Sequence, residues 1–136
     1  MCYNSVVSDL EKILYIMAMS PRYRDFSSRY IVKYVLPPLK LGQYRIYHDD
    51  EVPFCYASWA MLSDELSRKY GENKYRIKDS DWNSGNNLWL VNMLCPNGKG
   101  SIALRRLDKL RKELGLPKRV NFKRLGNNRV GNVERI

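Results

Sequence analysis

The chain of 136 residues is 44% hydrophobic and 12% aromatic, which predicts one folded domain over residues 1–136 and excludes an intrinsically disordered chain. No apolar run reaches the roughly 18 residues of a membrane span, and acidic residues interrupt the apolar start, so we expect a cytoplasmic protein without a signal peptide. The formal net charge is +10, and the three cysteines are widely spaced around a single histidine, which argues against a disulfide framework, a zinc knuckle and a histidine-based metal site.

The first third of the chain predicts two helices. Ser8 stands three residues before Glu11 in a capping-box pattern, which predicts a helix that begins there and ends at Pro21. Residues 20–27 are typical of an exposed polar loop. A second helix is predicted over residues 28–35, stopping before the proline pair that follows.

The remaining chain predicts strands and two further helices, the second of which directs Leu104, Leu107, Leu110 and Leu114 inward and its Arg and Lys residues outward. In the first of these helices, predicted over residues 62–70, Ser63 is the expected N-cap and Gly71 the residue that ends the helix. The order α, α, β, β, α, β, α, β, β predicts an α/β fold with a central, mostly antiparallel mixed sheet and helices packed on it. The predicted elements and turns are strands at 43–47, 52–59, 88–94, 120–125 and 129–133, helices at 62–70 and 102–114, and turns at 48–51 and 126–128.

Positive charge is concentrated at one end of the chain. Residues 99–136 hold twelve of the 24 Lys and Arg residues but only three acidic residues. This pattern indicates an anionic partner, such as an acidic carrier protein, a phosphate-bearing cofactor, nucleic acid or a membrane surface. A solvated helix face accounts for it equally well. Few aromatic residues interleave with these bases, which argues against nucleic-acid binding.

Short motifs spread over most of the chain resemble one known family. They are Ser20-Pro21, Val35-Leu36-Pro37, Gln43-Tyr44, Pro53, Tyr56, Ser58-Trp59-Ala60, Leu62-Ser63, Asp81-Trp82, Ser84-Gly85, Trp89, Pro96, Gly98, Arg119-Val120 and Val130-Gly131. With these residues, the chain is similar to the toxin-activating lysine-acyltransferases, the HlyC family.

The resemblance implies a GNAT-like acyltransferase fold, often dimeric, in the cytoplasm. It also implies transfer of a fatty acyl group from acyl carrier protein to internal lysines of a secreted RTX toxin, with no bound cofactor. The family's catalytic histidine aligns with Tyr23, its catalytic aspartate with Asn92, and an asparagine with Tyr34. None of the three is kept.

These departures change the chemistry expected at the site. An attacking lysine must lose a proton, because its ordinary pKa is about 10.4, and Tyr23 is a hydrogen-bond donor rather than a base at neutral pH. Asn92 carries no charge and acts at most as a polariser. We expect Ser20 to support the loop that presents Tyr23. The remaining candidate substrate-binding residues are Tyr34, Arg24 and Trp59.

Three other groups invite a functional interpretation but have simpler ones. Cys95 offers a nucleophile, yet it is expected to face away from Asn92 as a buried structural cysteine. His48 with Asp49-Asp50 is favoured as a solvated turn. Four tyrosines either line a groove for an acyl or aromatic ligand or are ordinary core residues, and both interpretations stay open. They are Tyr23, Tyr34, Tyr44 and Tyr56.

Two functions therefore remain. The first is an atypical acyltransferase that matures a secreted peptide or protein toxin. The second is a catalytically silent subunit of a maturation complex, for example one that attaches a siderophore to a microcin, which binds the peptide or a larger partner enzyme. Nucleic-acid binding by the basic helix is a weaker third.

Overall fold

The computed structural model describes residues 5–123 and 130–134. The predicted order of helices and strands is confirmed. The helical elements are α1 (Ser5–Met19), α2 (Ser28–Tyr30), a π-helical segment (Ile31–Val35), α3 (Leu36–Leu41), α4 (Asp64–Gly71), a 3-10 turn (Asp79–Asp81) and α5 (Gly100–Glu113). The strands are β1 (Tyr44–Asp49), β2 (Val52–Leu62), β3 (Asn87–Leu94), β4 (Arg119–Lys123) and β5 (Val130–Glu134).

The five strands form one sheet in the order β1-β2-β3-β4-β5. Neighbouring strands are antiparallel except for β3 and β4, which are parallel. This confirms the predicted α/β class with a mixed, mostly antiparallel sheet. The β4–β5 hairpin is confirmed as well, although its predicted turn at 126–128 lies outside the described residues.

The parallel pair is short. Strands β3 and β4 pair only from Leu88↔Val120 to Leu90↔Phe122 within the described residues, although β3 continues to Leu94. The described pairing of the two strands therefore ends at Leu90 and Phe122, one residue before β4 itself ends. We refer to this end of the pairing as the point where β3 and β4 part.

Helices pack on both faces of the sheet. On one face, Ile13 and Ile16 of α1 pack with Tyr56 and Leu94 of the sheet. On the other face, Ala103 of α5 packs against Phe54 and Cys55. Cys55 and Tyr56 point to opposite faces and therefore contact different helices, whereas Phe54 stays on the side of Cys55 because the register shifts at this residue in a β-bulge. A second cluster on the α1 side of the sheet is built around three aromatic residues, Tyr70, Trp82 and Trp89.

The first two predicted helices were wrong in their bounds. Helix α1 begins at Ser5, so Ser8 is an internal residue and not an N-cap. The second helical stretch does not stop at the prolines. It passes through the π-helical segment and continues to Leu41, where Gly42 ends it at φ 71°. Pro37 and Pro38 occupy the first turn of α3, so the carbonyls four residues earlier, in the π-helical segment, lack an α-helical N–H donor.

Two other local predictions were wrong in part. His48 and Asp49 belong to β1, and the hairpin turn is confined to Asp50 and Glu51, with Asp50 at φ 56°. Residues 20–27 form the expected turn, but Tyr23 is buried within it.

Helix α5 departs from its predicted amphipathic pattern. Leu104 and Leu114 are half exposed, whereas Arg111 is buried and bonded through its Nε to Asp108. The pattern of Leu positions identified the helix correctly, since α5 begins and ends near its predicted residues. Ser63 is likewise the N-cap of α4, as predicted. The Leu pattern did not reveal that the Arg111 side chain lies on the buried side of α5.

Neither a membrane-spanning helix nor a metal cluster is found in the described part of the chain. None of its helices has the length and apolar character to cross a bilayer. Among residues 5–123 and 130–134, no group of three or more His, Cys, Asp and Glu side chains is arranged to hold a metal ion.

Candidate functional site

An aromatic cluster lies on the α1 side of the sheet, where the turn after α1 meets α2. The rings of Tyr23 and Tyr30 are 6.3 Å apart in an edge-to-face arrangement, and those of Tyr30 and Tyr34 are 4.9 Å apart. The ring centroids of Phe26 and Tyr23 are 4.7 Å apart. Tyr30 and Tyr34 share a helix face because they are four residues apart. Two of the predicted site residues, Tyr23 and Tyr34, are thus brought together through Tyr30.

Asn92 joins this cluster from the centre of β3. Its Oδ1 accepts a hydrogen bond of 2.5 Å from the Tyr30 hydroxyl. Its Nδ2 donates to the Tyr34 carbonyl at 3.0 Å and to Ser58 Oγ at 2.9 Å. The side chain is 1% exposed. Both amide hydrogens and the amide oxygen are therefore engaged, and Asn92 fixes the helix against the sheet.

The proline pair explains why the Tyr34 carbonyl is available to Asn92. In a regular helix this carbonyl would accept from the N–H four residues later, which is the position of Pro38. Pro38 has no N–H, so the Asn92 amide donates to that carbonyl instead. The prolines thus permit the contact between the helix and β3.

The phenol groups of this cluster are poor bases. Burial raises the pKa of Tyr23 above its ordinary value, and the nearby Arg22 only partly opposes this. Burial likewise raises the pKa of Tyr30, and neighbouring tyrosines raise it further. Both groups are protonated at neutral pH and can donate a hydrogen bond, as Tyr30 does to Asn92.

A largely apolar pocket of about 450 Å³ opens beside Tyr23. It lies between α5 and the sheet and extends through the point where β3 and β4 part, because the next residue of each strand, Val91 and Lys123, lines it. Its volume lies within the range of small-molecule sites, roughly 300–1,000 Å³. The residues that line it are Tyr23, Trp59, Leu88, Leu90, Val91, Met93, Leu104, Leu107, Asp108, Leu110, Arg111, Leu116, Val120, Phe122 and Lys123.

Two cations line this pocket in different ways. Arg111 is buried and its Nε donates to Asp108 Oδ1 at 3.1 Å. Lys123 is half-buried, and its Nζ lies 3.5 Å from the centroid of the Tyr70 ring. Burial lowers the pKa of Lys123. Among the described residues, Lys123 forms no ion pair.

The other predicted site residues fall into three positions. Trp59 is buried and lines the pocket, with the Arg45 guanidinium 5.8 Å from its ring. Ser20 is buried and donates to the Ile16 carbonyl at 2.7 Å, while its own carbonyl accepts from the N–H groups of Tyr23 and Arg24. Arg24 has an exposed side chain outside the pocket.

The alternative nucleophile and base lie away from the cluster. Cys95 packs with Cys55 on the α5 side of the sheet, and burial raises the pKa of the Cys55 thiol to about 12. His48 lies on β1 at the sheet edge. Of the remaining tyrosines, Tyr44 bonds to Asp9, and Tyr56 is fully buried in the core.

Sequence reasoning missed the residues that assemble the site. Tyr30 could have been identified from its four-residue spacing to Tyr34 on a predicted helix. Ser58, Tyr70 and Lys123 could not, because each reaches the site only through strand pairing or helix packing. The pocket itself depends on the parting of β3 and β4.

The basic face predicted for the end of the chain is present on and after α5. Its described cations with exposed side chains are Arg105, Arg106, Lys109, Lys112, Lys118 and Arg119. The Arg106 guanidinium also lies 5.6 Å from the Tyr47 ring and 5.8 Å from the Phe54 ring. One side of the helix thus bounds the apolar pocket while another presents positive charge.

Comparison with known proteins gives consistent matches. The chain matches the HlyC family, described as the RTX toxin acyltransferase family, over residues 4–135. It is 32% identical over 98 residues to the RTX-II toxin-activating lysine-acyltransferase ApxIIC of Actinobacillus pleuropneumoniae, covering 72% of this chain and 61% of that protein. It is 33% identical over 106 residues to the leukotoxin-activating lysine-acyltransferase LtxC of Aggregatibacter actinomycetemcomitans, covering 78% and 63%.

A third relative extends the comparison to another acyl group. The chain is 30% identical over 98 residues to the protein-lysine palmitoyltransferase CyaC of Bordetella bronchiseptica, covering 71% of this chain and 53% of that protein. The matched regions span just over half to about three fifths of these relatives' lengths.

Proposed function

The chain belongs to the RTX toxin acyltransferase family, and from this membership we propose that it acts in the acylation of a secreted bacterial toxin, with a pocket for the acyl chain and an altered reaction centre. The acceptor is a side chain of a toxin polypeptide, and the donor is an acyl thioester on an acidic carrier protein. The mixed sheet with one parallel pair supports a GNAT-like arrangement. The reaction would take place in the cytoplasm.

One observation carries this proposal, namely the apolar pocket that opens beside Tyr23. Its walls are aliphatic and aromatic side chains of β3, β4 and α5, which suit an acyl chain. An acyl chain held there would bring its thioester carbonyl to the aromatic cluster. The acceptor would then approach from the side of the turn after α1.

The proposed reaction is transfer from a thioester to an acceptor nucleophile. A neutral acceptor attacks the carbonyl carbon, the C–S bond breaks and the carrier leaves as a thiolate. The acceptor proton passes to solvent, and the thiolate takes up one proton from solvent, so the overall change is acyl transfer with release of the carrier thiol. The Tyr23 hydroxyl would donate a hydrogen bond to the carbonyl oxygen or to the leaving sulfur. Neither Tyr23 nor Asn92 would remove the acceptor proton, since the phenol stays protonated and a carboxamide is not a base at neutral pH.

The exposed basic face offers a docking surface for the carrier. Acidic carriers would be attracted by the cations of α5 and of the segment after it, which lie next to the pocket. Replacing Arg105 and Lys109 by Glu should weaken carrier binding and reduce its dependence on salt. Binding that is unaffected by these charge reversals would place the carrier elsewhere.

Pocket filling tests the proposal. The protein would be expressed with an RTX toxin or a microcin precursor, and the intact mass of the polypeptide would be compared with a culture lacking the protein. We expect a mass increase of one or more acyl groups.

Leu107→Trp places a larger ring in the pocket and should reduce acylation by about tenfold or more, whereas Leu114→Trp on the exposed end of α5 should not. Acylation that is equally unaffected by both would refute the pocket assignment.

One observation favours a second candidate, the catalytically silent subunit. Both N–H donors of the Asn92 amide are engaged within the protein and so cannot stabilise a substrate oxyanion, and the nearby phenols are not bases. In this case the pocket would hold the acyl or siderophore part of a peptide while a larger enzyme performs the chemistry. Co-purification separates the two: a stoichiometric partner without which no mass change occurs supports the silent subunit, whereas modification by the purified chain alone excludes it.

A further inference from the structure

We propose that the pocket between α5 and the sheet binds a free fatty carboxylate, with Lys123 as the receptor of the carboxylate head. The proposal rests on the proposed function, because it concerns the same pocket. It goes beyond that function because the ligand is the free acid rather than the carrier-bound thioester. A fatty carboxylate there would compete with the acyl donor.

The charges of the pocket lining single out Lys123. Of the charged side chains that line the pocket, Asp108 and Arg111 are bonded to each other at 3.1 Å, which neutralises the charge of Arg111 although its buried Nη2 has no hydrogen-bond partner among the described residues. Lys123 forms no ion pair within residues 5–123 and 130–134. A half-buried ammonium without a carboxylate partner is favourable only if a ligand or water compensates its lost hydration. An anionic head supplies that compensation.

The ammonium is held in place by an aromatic face. Its Nζ lies 3.5 Å from the centroid of the Tyr70 ring, and Tyr70 in turn packs edge-to-face on Trp89 at 4.9 Å. This arrangement restrains the long side chain without neutralising its charge. No hydrogen bond from the Lys123 ammonium to another described side chain is found, so the N–H donors that do not face the Tyr70 ring can meet a carboxylate.

The apolar body of the ligand follows from the rest of the lining. Lys123 is the last described residue of β4, and the residues before it, Phe122 and Val120, line the pocket together with Leu104 and Leu107 of α5. Lys123 and Phe122 are adjacent and point to opposite faces of the sheet, so the cation lies on the Tyr70 side of the pocket and the apolar walls lie on the α5 side. This combination suits a carboxylate head with a straight aliphatic chain.

The test is a binding measurement with two probes of equal chain length. Decanoate and decanol would be titrated separately into the purified full chain below their aggregation limits, by isothermal titration calorimetry. We expect the full chain to bind decanoate about tenfold more tightly than decanol, because a hydrogen bond to a charged group in a partly buried site is worth this much. The matched variants are Lys123→Met, which keeps the aliphatic stem, and Lys123→Gln as a second replacement. Lys118→Met is the control, because Lys118 is exposed and does not line the pocket.

The outcomes separate this inference from the proposed function. Loss of the decanoate preference in both Lys123 variants, with decanol binding retained and with Lys118→Met unchanged, supports the assignment. Equal binding of the two probes by the unmodified chain overturns the role of Lys123 but leaves the acyl pocket intact. An unchanged preference in folded Lys123 variants overturns it too. If neither decanoate nor decanol binds, both this inference and the acyl pocket are overturned.

Discussion

Asn92 shows how a single side chain can hold two layers of this protein together. It lies on β3 but bonds to the helical stretch twice, through the Tyr30 hydroxyl and the Tyr34 carbonyl. Its third bond, to Ser58 on β2, orients the amide. Whatever chemistry the site performs, the position of Tyr34 relative to the sheet depends on this residue.

Asn92→Asp should therefore destabilise the protein rather than simply add a charge. A carboxylate cannot donate to the Tyr34 carbonyl or to Ser58 Oγ, and the charge would be buried beside a carbonyl oxygen. We expect a loss of about 3 kcal/mol in the free energy of unfolding, measured by urea denaturation. Asn86→Asp, at an exposed position just before β3, is the control and should change stability by less than about 0.5 kcal/mol. An Asn92→Asp protein as stable as the control would show that the three bonds contribute little.

At the scale of single residues, the sequence identified the members of the site but not their contacts. Tyr23, Tyr34 and Asn92 were grouped through resemblance alone. Tyr30 and Asn92 are 62 positions apart, and no local pattern predicts a bond between them. The buried position of Tyr23 was also missed, because its neighbours in sequence are charged and polar.

At the scale of elements, several motif residues that suggested the family have structural roles. Gln43 Nε2 donates to the carbonyls of Trp59 and Trp82 at 3.0 Å each, which ties β2 to the loop before β3. Ser84 Oγ donates to the Asp81 carbonyl at 2.7 Å and accepts from the Ser63 N–H at 3.2 Å. These contacts connect the segment before β3 to the end of β2.

Gly85 is required by a close approach of two backbone segments. A Cβ at this position would lie 2.5 Å from Ser63 Cα and 2.6 Å from the Leu62 carbonyl oxygen. Gly85→Ala should lower the free energy of unfolding by about 3 kcal/mol, at the upper end of the effect of overpacking, because backbone cannot move aside as a side chain can. Gly100→Ala at the start of α5 is the matched control, since nothing lies within 4 Å of its added Cβ. Thermal unfolding of the two variants measures the difference, and equal midpoints would contradict the close approach.

The order of elements could be predicted because local signals mark it. Ser63 caps α4 by accepting from the Leu66 N–H at 3.3 Å, as its position before the helix indicated. The second helical stretch was predicted to be too short because a proline pair usually ends a helix. A π-helical segment before Pro37 and Pro38 is a long-range outcome, stabilised by the Asn92 bond, and has no reliable sequence signal.

At the scale of the whole molecule, the packing of many phenols affects stability at high pH. Burial raises the pKa of Tyr23, Tyr30, Tyr56 and Tyr70, and burial with a hydrogen bond to Asp9 raises that of Tyr44 to about 12. The folded state therefore holds these protons more tightly than the unfolded chain, whose tyrosines have a pKa of about 10. The resulting stability is fully present below pH ~10 and is lost as the pH rises through the folded values.

We accordingly expect the urea midpoint to be constant near neutral pH and to fall steeply above pH ~10. Absorbance of tyrosinate near 295 nm should rise together with unfolding rather than before it. Complete titration of the phenols at about pH 10 in a protein that stays folded and equally stable would contradict the buried aromatic cluster.

The fold class followed from the chain because alternating apolar residues, caps and turns are local. The pocket did not, since it depends on how far β3 and β4 pair and on where α5 lies above them. The pattern of α5 predicted its leucines to face inward. It could not show that Leu104, Leu107 and Leu110 leave space beneath them.

The most direct test of the central claim is the location of a bound acyl chain. A carrier-linked fatty acyl thioester with a photoreactive group on its chain would be irradiated with the protein, and the labelled peptides identified by mass spectrometry. The account predicts labelling on β3, α5 and β4, within Leu88–Met93, Leu104–Leu116 and Val120–Lys123, and its loss in Leu107→Trp. Labelling confined to α1 or β1, or labelling that Leu107→Trp does not reduce, would contradict it.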